Sequence, residues 1–210
     1  MKKIETQPKI QRLYLITDRH LSRQGEEKDA EDALKAGIKI IQYREKDLPQ
    51  EQILKTAEKL RALTREYGAT LIINDHPEIA EKVHADGLHI GQGDTNIHEA
   101  RKIFKGKIIG VSAKTLEESK KAEREGATYI GLGPIFDTAT KNDAGQGIGL
   151  NKLKEIKKTI NIPIVAIGGI NRQNAKEVLE SGADSIAVVS AIIGKDIKIE
   201  TENLIKITGR

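Results

Sequence analysis

The chain has 210 residues, a formal charge of +4 from 35 basic and 31 acidic side chains, and only 3% aromatic residues. So small a positive excess, with so few rings for base stacking, argues against a nucleic-acid partner. The chain contains no cysteine, which excludes disulfide bonds, thiolate nucleophiles and cysteine-ligated metals.

The N-terminal segment and the apolar runs indicate the compartment. Residues 1–12 lack the apolar core of a signal peptide. The longest nearly continuous apolar run, residues 162–170, contains a proline and two glycines and is too short to cross a bilayer. We therefore expect a cytoplasmic protein with no membrane partner. The length predicts a single domain, residues 1–210, with its core at about 13–193, and leaves a homo-oligomer open.

One sequence pattern recurs along the chain: a helical pattern ends at a small residue, and a short run rich in β-branched residues follows. The copies begin at Gly37, Gly68, Ala85, Gly126 and Gly182. Glycine directly after a helix commonly takes the left-handed conformation, so we expect each copy to be a helix-to-strand joint. Three further short apolar runs lie at residues 13–16, 107–111 and 163–167.

Together these runs predict eight strands, each followed by a helical pattern. Such alternation, with no linker and no shift in composition, predicts an α/β fold in which a parallel sheet closes into a single (β/α)8 TIM barrel. A doubly wound open sheet is the alternative, but no G-x-G-x-x-G follows the first strand. In a barrel of this kind, functional residues lie where strands end.

The second strand, I-K-I-I-Q-Y-R-E-K at residues 38–46, has two chemically different faces. One face carries Ile38, Ile40, Gln42, Arg44 and Lys46, and the other carries Lys39, Ile41, Tyr43 and Glu45. The first face changes from apolar to cationic, as expected of a strand that leaves a core and enters a pocket. Guanidinium and ammonium groups suit a polyanion. The alternative is an exposed strand end with solvated charges.

Two carboxylates follow the third and fourth strands. Asp75 and Asp94 would lie at adjacent strand ends, where they could hold Mg²⁺ with water and phosphate oxygens. The alternative for each is helix capping. That alternative suits Asp75, because Pro77 can open a helix, and suits Asp94 less, because Asn96 and Glu99 form their own capping pattern.

The fifth strand is followed by Thr115 and Glu118 at the spacing of a capping box, which leaves Ser112 available to a ligand. His89 lies within the fourth strand and could also face the pocket. The remaining histidines fall in helices or loops, and no pair of histidines has metal-ligand spacing.

A long loop, about residues 131–149, follows the sixth strand and is expected to cover a ligand. The last two strands end in Gly168-Gly169 and Val189-Ser190, where this class of barrel often binds phosphate through backbone amides. With the cationic second strand, this gives two anion sites. Two such sites indicate transfer between two phosphorylated substrates.

Seven motifs, in order, are Q-Y-R-E-K, I-N-D, D-G-L-H-I-G-Q-x-D, G-V-S, G-L-G-P-I-F-x-T-x-T-K, A-I-G-G-I and V-V-S-A-I. In these motifs the chain resembles the thiamine-phosphate synthases from about residue 13 to residue 193. The resemblance implies an enzyme that joins 4-amino-2-methyl-5-hydroxymethylpyrimidine pyrophosphate to a thiazole phosphate. Its products would be thiamine phosphate and pyrophosphate, after dissociative loss of pyrophosphate assisted by Mg²⁺.

The resemblance also implies residue roles. The pyrimidine pyrophosphate would contact Gln42, Tyr43, Arg44, Glu45, Lys46, Asn74, Ser112 and Lys141. The thiazole phosphate would contact Thr138, Ala139, Thr140, Gly169, Val189 and Ser190. Catalysis would rest on Arg44, Lys46, Ser112 and Lys141, and Mg²⁺ would be bound by Asp75 and Asp94.

Two features depart from the usual family pattern: Lys114 replaces a frequent histidine, and residues 145–149 resemble the related thiazole tautomerases. A tautomerase on the same barrel is therefore one alternative. It would not need the cationic strand end or the two carboxylates. A regulator that binds a thiamine intermediate without catalysis is another alternative, and it would not need the full charged set.

Overall fold

The computed structural model describes residues 12–93, 95–138 and 145–209. Eight short strands alternate with eight helices in this part of the chain. The strands are β1 (Leu13–Ile16), β2 (Ile40–Tyr43), β3 (Thr70–Asn74), β4 (Gly87–Ile90), β5 (Ile108–Ala113), β6 (Tyr129–Leu132), β7 (Ile164–Ile167) and β8 (Ser185–Val188). The helices are α1 (Glu26–Lys35), α2 (Gln50–Glu66), α3 (Pro77–Lys82), α4 (Ile97–Ile103), α5 (Leu116–Arg124), α6 (Gly149–Lys157), α7 (Ala175–Glu180) and α8 (Ile197–Thr208).

The strands form one closed parallel barrel in chain order. Closure occurs where β1 pairs with β8, with Leu13 opposite Ile186, while Leu15 lies opposite Ile41 of β2. The predicted (β/α)8 TIM barrel is therefore confirmed. No helix within the described ranges is both long and apolar enough to cross a membrane.

The predicted helix-to-strand joints have the expected backbone. Gly37, Gly68, Gly126 and Gly182 all have positive φ, between 58° and 107°. A side chain is disfavoured in this conformation, so glycine ends each helix at low energetic cost. In the third copy the left-handed position falls one residue earlier than the small residue, at His84, with φ 51°.

Two buried layers hold the barrel together. Inside it, Tyr14, Ile16, Ile40, Ile72, Tyr129, Val165 and Ala187 form one cluster. The alternate residues of the strands, such as Leu15, Ile41 and Ile73, pack outward against the helices. Because side chains alternate along a strand, the parity of a residue decides whether it can reach the barrel interior.

Three side chains close the end of the barrel at which strands begin. Asp86, Thr128 and Asp184 directly precede β4, β6 and β8, and each accepts a hydrogen bond from a backbone amide of the preceding strand at 2.8 Å. Arg61 and Lys157 pair with the two aspartates at 2.6 and 2.7 Å. These contacts satisfy strand ends that would otherwise lack partners, and leave the opposite end open for a site.

Candidate active site

A cavity of about 520 Å³ opens at the carboxyl ends of the strands. Every strand contributes to its wall, through Tyr14, Gln42, Asn74, His89, Ser112, Tyr129, Ile167 and Ala187. This is the position at which barrel enzymes bind their substrates. Its volume is in the range of small-molecule sites.

Side chains at the end of β2 point alternately into the cavity and away from it, as the sequence predicts. Gln42, Arg44 and Lys46 line the cavity. Tyr43 points the other way and is 1% exposed, within the layer between strands and helices. Glu45 also has the parity of Tyr43. Tyr43 and Glu45 were expected to contact the pyrimidine pyrophosphate, but neither of them lines the cavity, because neighbouring side chains on a strand point to opposite faces.

Glu45 instead anchors the turn that follows β2. Its carboxylate accepts hydrogen bonds from Arg19 Nε and from the amides of Lys46 and Asp47, all at 2.8 Å. Burial alone would raise the pKa of Glu45, but the Asp47 amide and the Arg19 guanidinium outweigh it and lower the pKa. The ionised carboxylate thus holds the backbone that carries the cavity-facing Lys46.

Asp75 places a carboxylate at the cavity edge. Its Oδ2 lies 2.8 Å from Lys46 Nζ and 2.5 Å from Asn74 Nδ2, and its Oδ1 accepts a hydrogen bond from the Gly91 amide at 3.2 Å. The helix-capping alternative for Asp75 is wrong, because α3 is preceded by His76 as its N-cap residue and has no side-chain cap. The oxygens of Asp75 are therefore directed to the site and not to a helix end.

Several predicted residues lie outside the described residues, namely Asp94, Ala139, Thr140 and Lys141. The neighbouring predictions are nevertheless informative. Asn96 caps α4 by accepting a hydrogen bond from the Glu99 amide, and Thr115 and Glu118 form the predicted capping box of α5. The N-cap positions of these two helices are therefore occupied by Asn96 and Thr115.

A chain of polar side chains crosses the cavity floor. Gln42 Nε2 donates to the Tyr14 hydroxyl at 2.6 Å, and this hydroxyl lies 3.0 Å from that of Tyr129. His89 bridges the Tyr129 hydroxyl and Ser112 Oγ, with both contacts at 2.9 Å. Burial raises the pKa of Tyr14 and of Tyr129, so both phenols stay neutral.

The opposite edge is small and uncharged. Gly168 and Gly169 after β7, with Val189 and Ser190 after β8, line the cavity, as does Thr138. Both glycines have positive φ. A Cβ at Gly169 would also lie 2.7 Å from that of Phe136, so the close approach of two loops leaves no room for a side chain there.

Sequence reasoning did not identify Tyr14 and Tyr129 as site residues. Both are tyrosines on strands, and there are only four tyrosines in the chain. The only indication in the sequence was that both occupy positions in β1 and β6 whose side chains face the barrel interior. Inward parity alone does not separate a core residue from a site residue, and the pairing of the two hydroxyls depends on the closed barrel.

Cationic and neutral edges in one cavity can hold two anionic groups with reacting atoms between them. Residues 13–192 match the family model described as thiamine monophosphate synthase. The chain is 45% identical over 199 residues to a thiamine-phosphate synthase of Methanosarcina barkeri, covering 94% of this chain and 90% of the relative. It is 50% identical over 184 residues to that of Archaeoglobus fulgidus, covering 88% and 86%.

Structural similarity agrees with these matches. A solved structure named thiamine phosphate pyrophosphorylase from Pyrococcus furiosus has a TM-score of 0.88 and 43% sequence identity, and the match covers 94% of this chain and 95% of that one. The named relatives are synthases, which are transferases, and support neither the tautomerase nor the regulator. From the agreement of sequence, fold and cavity, we conclude that the chain belongs to the thiamine-phosphate synthase family.

Proposed function

We propose that this protein joins 4-amino-2-methyl-5-hydroxymethylpyrimidine pyrophosphate to a thiazole phosphate, giving thiamine phosphate and pyrophosphate. The division of one cavity into two unlike edges carries the proposal. Arg44, Lys46 and Asp75 line one edge, and Gly169 and Ser190 line the other. A charged edge suits a pyrophosphate with its cation, and a small edge with exposed backbone suits a monophosphate.

The pyrophosphate would bind at the β2 and β3 edge. Arg44 offers a planar fork of donors, Lys46 a mobile positive charge, and Asn74 an amide. We assign Lys141 to the same group on the family motif that contains it. The pyrimidine ring would lie over the cavity floor, between Gln42 and Ser112, which both line the cavity.

Mg²⁺ would be held by Asp75 and, from the family motif, by Asp94. Asp75 fits this role because it is a hard oxygen donor at the cavity edge, already paired with Lys46 at 2.8 Å. No cluster of three or more acidic, histidine or cysteine residues suited to a metal occurs in the described ranges. Mg²⁺ needs no such cluster, since it is often held by one or two carboxylates with substrate phosphates and water. When bound, the ion would stabilise negative charge on pyrophosphate.

The thiazole phosphate would bind at the β7 and β8 edge. Gly169, Val189 and Ser190 would supply backbone and hydroxyl donors, and Thr138 lies within the same cavity. The motif that contains Thr138 adds Ala139 and Thr140 to this group. Separating the two anions across the cavity would direct the thiazole ring toward the pyrimidine.

The reaction would proceed by breaking the bond between the pyrimidine methylene carbon and the pyrophosphate oxygen, with the electron pair leaving on pyrophosphate. The thiazole nitrogen then supplies the pair for the new carbon–nitrogen bond. No proton is transferred at the reacting atoms, so no general base is required. Arg44, Lys46 and Lys141 would neutralise the developing charge, and the cavity walls would hold the two rings in reacting geometry.

Product analysis tests the proposal. The purified protein is incubated with both substrates and Mg²⁺, and each component is omitted in turn. We expect equal amounts of thiamine phosphate and pyrophosphate, with formation dependent on all three components. A protein that forms no thiamine phosphate but isomerises a thiazole carboxylate phosphate by itself would instead be a tautomerase.

A further inference from the structure

The hydrogen-bonded chain across the cavity floor has a direction. Gln42 donates through Nε2, so the Tyr14 oxygen is the acceptor in that contact. Either hydroxyl could donate in the contact between Tyr14 and Tyr129, but only donation by Tyr14 gives its buried proton an acceptor among the described residues, because the Gln42 nitrogen cannot accept. Tyr129 then donates its own proton to His89 Nδ1, which has to be the unprotonated ring nitrogen.

The direction continues to the far side of the cavity. With Nδ1 accepting, the neutral imidazole of His89 carries its proton on Nε2 and donates it to Ser112 Oγ. The hydroxyl proton of Ser112 is then directed elsewhere, and Ser112 lines the cavity. At the other end of the chain, the Gln42 nitrogen is engaged with Tyr14, which leaves the Gln42 carbonyl oxygen as the group that can accept from a ligand.

The neighbouring strands are built to admit this chain. A Cβ at Gly110 of β5 would lie 2.0 Å from Tyr129 Cζ, and a Cβ at Gly131 of β6 would lie 2.8 Å from His89 Cε1. Both glycines therefore leave inward positions empty, and aromatic rings from adjacent strands fill them. Hydroxyl and imidazole groups are thus placed where an apolar barrel interior would otherwise be expected.

We propose that Tyr14, Tyr129 and His89 are positioning residues that fix the hydrogen-bonding pattern offered to the pyrimidine ring, with Gln42 as acceptor and Ser112 as donor. The inference rests on the proposed function. A 4-aminopyrimidine presents an amino donor on one side and a ring-nitrogen acceptor on the opposite side of the ring, which matches an acceptor and a donor at the two ends of this chain. If the chain ran in reverse, Ser112 would accept and Gln42 would donate, and the match would be lost.

The tautomer of His89 tests the direction without any substrate. In ¹⁵N NMR spectra of the full-length protein, with His89 assigned by comparison with His89→Gln, we expect an unprotonated Nδ1 and a protonated Nε2. The opposite tautomer in the wild type would overturn the proposal. In Tyr129→Phe, where Nδ1 loses its donor, the single tautomer should give way to a mixture, and an unchanged tautomer would contradict the role of Tyr129.

Steady-state kinetics test the consequence for binding. In Tyr14→Phe and Tyr129→Phe we expect the KM for the pyrimidine pyrophosphate to rise about tenfold or more, because a buried donor or acceptor loses its partner. The KM for thiazole phosphate should stay within about twofold, since that ligand binds across the cavity. Tyr67→Phe, at the end of α2 outside the cavity, is the matched control.

Equal changes in both KM values, or no change in either, would overturn the positioning role. A wild-type protein that forms no thiamine phosphate would refute the proposed function, while the His89 tautomer could still be measured. The two failures are therefore distinguishable.

Discussion

Asp75 combines an unusual backbone with a well-defined side chain. It has a φ of 61°, a left-handed conformation that Asp and Asn adopt more readily than most residues. Its amide donates to the carbonyl of His89 at 2.8 Å, which ties the end of β3 to β4. With Lys46 and the Gly91 amide holding the two carboxylate oxygens, the group is pre-positioned at the cavity edge.

Replacing Asp75 by Asn should weaken Mg²⁺ binding and lower activity. The fold should be retained, because Asn also adopts the left-handed backbone conformation of Asp75. We expect the Mg²⁺ concentration for half-maximal turnover to rise at least about tenfold. The measurement is a Mg²⁺ titration of thiamine phosphate formation, with circular dichroism as the check on folding. Asp32→Asn on the outer helix α1 is the matched control. Normal Mg²⁺ dependence in Asp75→Asn would show that Asp75 is not a ligand.

Which side chains of a single strand face the cavity was predictable from the sequence, because side chains alternate between the two faces of a strand. The cavity-facing set of Gln42, Arg44 and Lys46 is an example. The contact between Tyr14 and Tyr129 was not predictable, since the two residues are 115 positions apart. It depends on the registers of a barrel that must first close.

At the scale of elements, the end of β7 supports the start of the loop after β6. The amides of Ile135 and Phe136 donate to the carbonyls of Ile167 and Gly168, at 2.8 and 3.1 Å. The returning part of the loop is held as well, because the Gly147 amide donates to Asp137 Oδ1 at 2.8 Å. The neutral edge of the cavity is therefore fixed by backbone contacts.

Gly169→Ala should both destabilise the protein and weaken thiazole phosphate binding, because the added methyl group meets Phe136 and Asp137 in a left-handed backbone. Gly68→Ala is the matched control: its φ is +58° but a Cβ there meets nothing within 4 Å. The control should lose about 1–2 kcal/mol for conformation alone.

Urea unfolding and calorimetric binding of thiazole phosphate measure these two effects. We expect Gly169→Ala to lose more stability than Gly68→Ala, and only Gly169→Ala to lose affinity. Equal losses of stability with unchanged affinity would contradict the close packing of the two loops.

The first turn of α1 buries an acid behind the cationic edge. Glu26 is 8% exposed, and its Oε1 has no hydrogen-bond partner in the part of the chain that the structure describes. Burial raises the pKa of Glu26 from 4.5 to about 7, against the opposing hydrogen bond from Thr17. Thr17 in turn accepts from the Arg44 amide at 3.2 Å.

Because the pKa of Glu26 is raised by folding, its contribution to stability is fully present below about pH 4.5 and is lost as the pH rises through about 7. The loss is on the order of 3 kcal/mol at most. Glu26→Gln cannot ionise and should not show this loss. The stability of the variant relative to the wild type should therefore increase as the pH is raised from 5 to 8. Urea unfolding at pH 5 and at pH 8 measures this difference, with Glu27→Gln, at the less buried neighbouring position, as control. An identical pH dependence in wild type and Glu26→Gln would refute the assignment.

The elements themselves followed closely from the sequence. Glycine joints and short apolar runs were sufficient to predict eight strands, because both signals are local. The inclusion of Ser112 within β5 was less accessible, since the capping box at Thr115 predicted where α5 begins and not where β5 ends. Strand ends depend on pairing with neighbours, which is a property of the assembled sheet.

For the whole molecule, the closed barrel brings distant residues to one cavity with separate tasks. The edge at β2 and β3 is charged, the edge at β7 and β8 is small and neutral, and the polar chain forms the floor between them. We infer that this separation lets one site stabilise a departing pyrophosphate without binding both phosphorylated substrates at the same edge.

The most direct test of this separation is the effect of Arg44→Ala on kcat and on the affinity for thiazole phosphate, at saturating Mg²⁺. Contacts to pyrophosphate strengthen as its charge grows, so kcat should fall on the order of 100-fold, while thiazole phosphate affinity stays within about twofold. Lys141→Ala should behave alike, and Arg65→Ala, exposed on the last turn of α2, should behave as wild type. A near-normal kcat in both site variants, or an equal loss of thiazole phosphate affinity, would contradict the account.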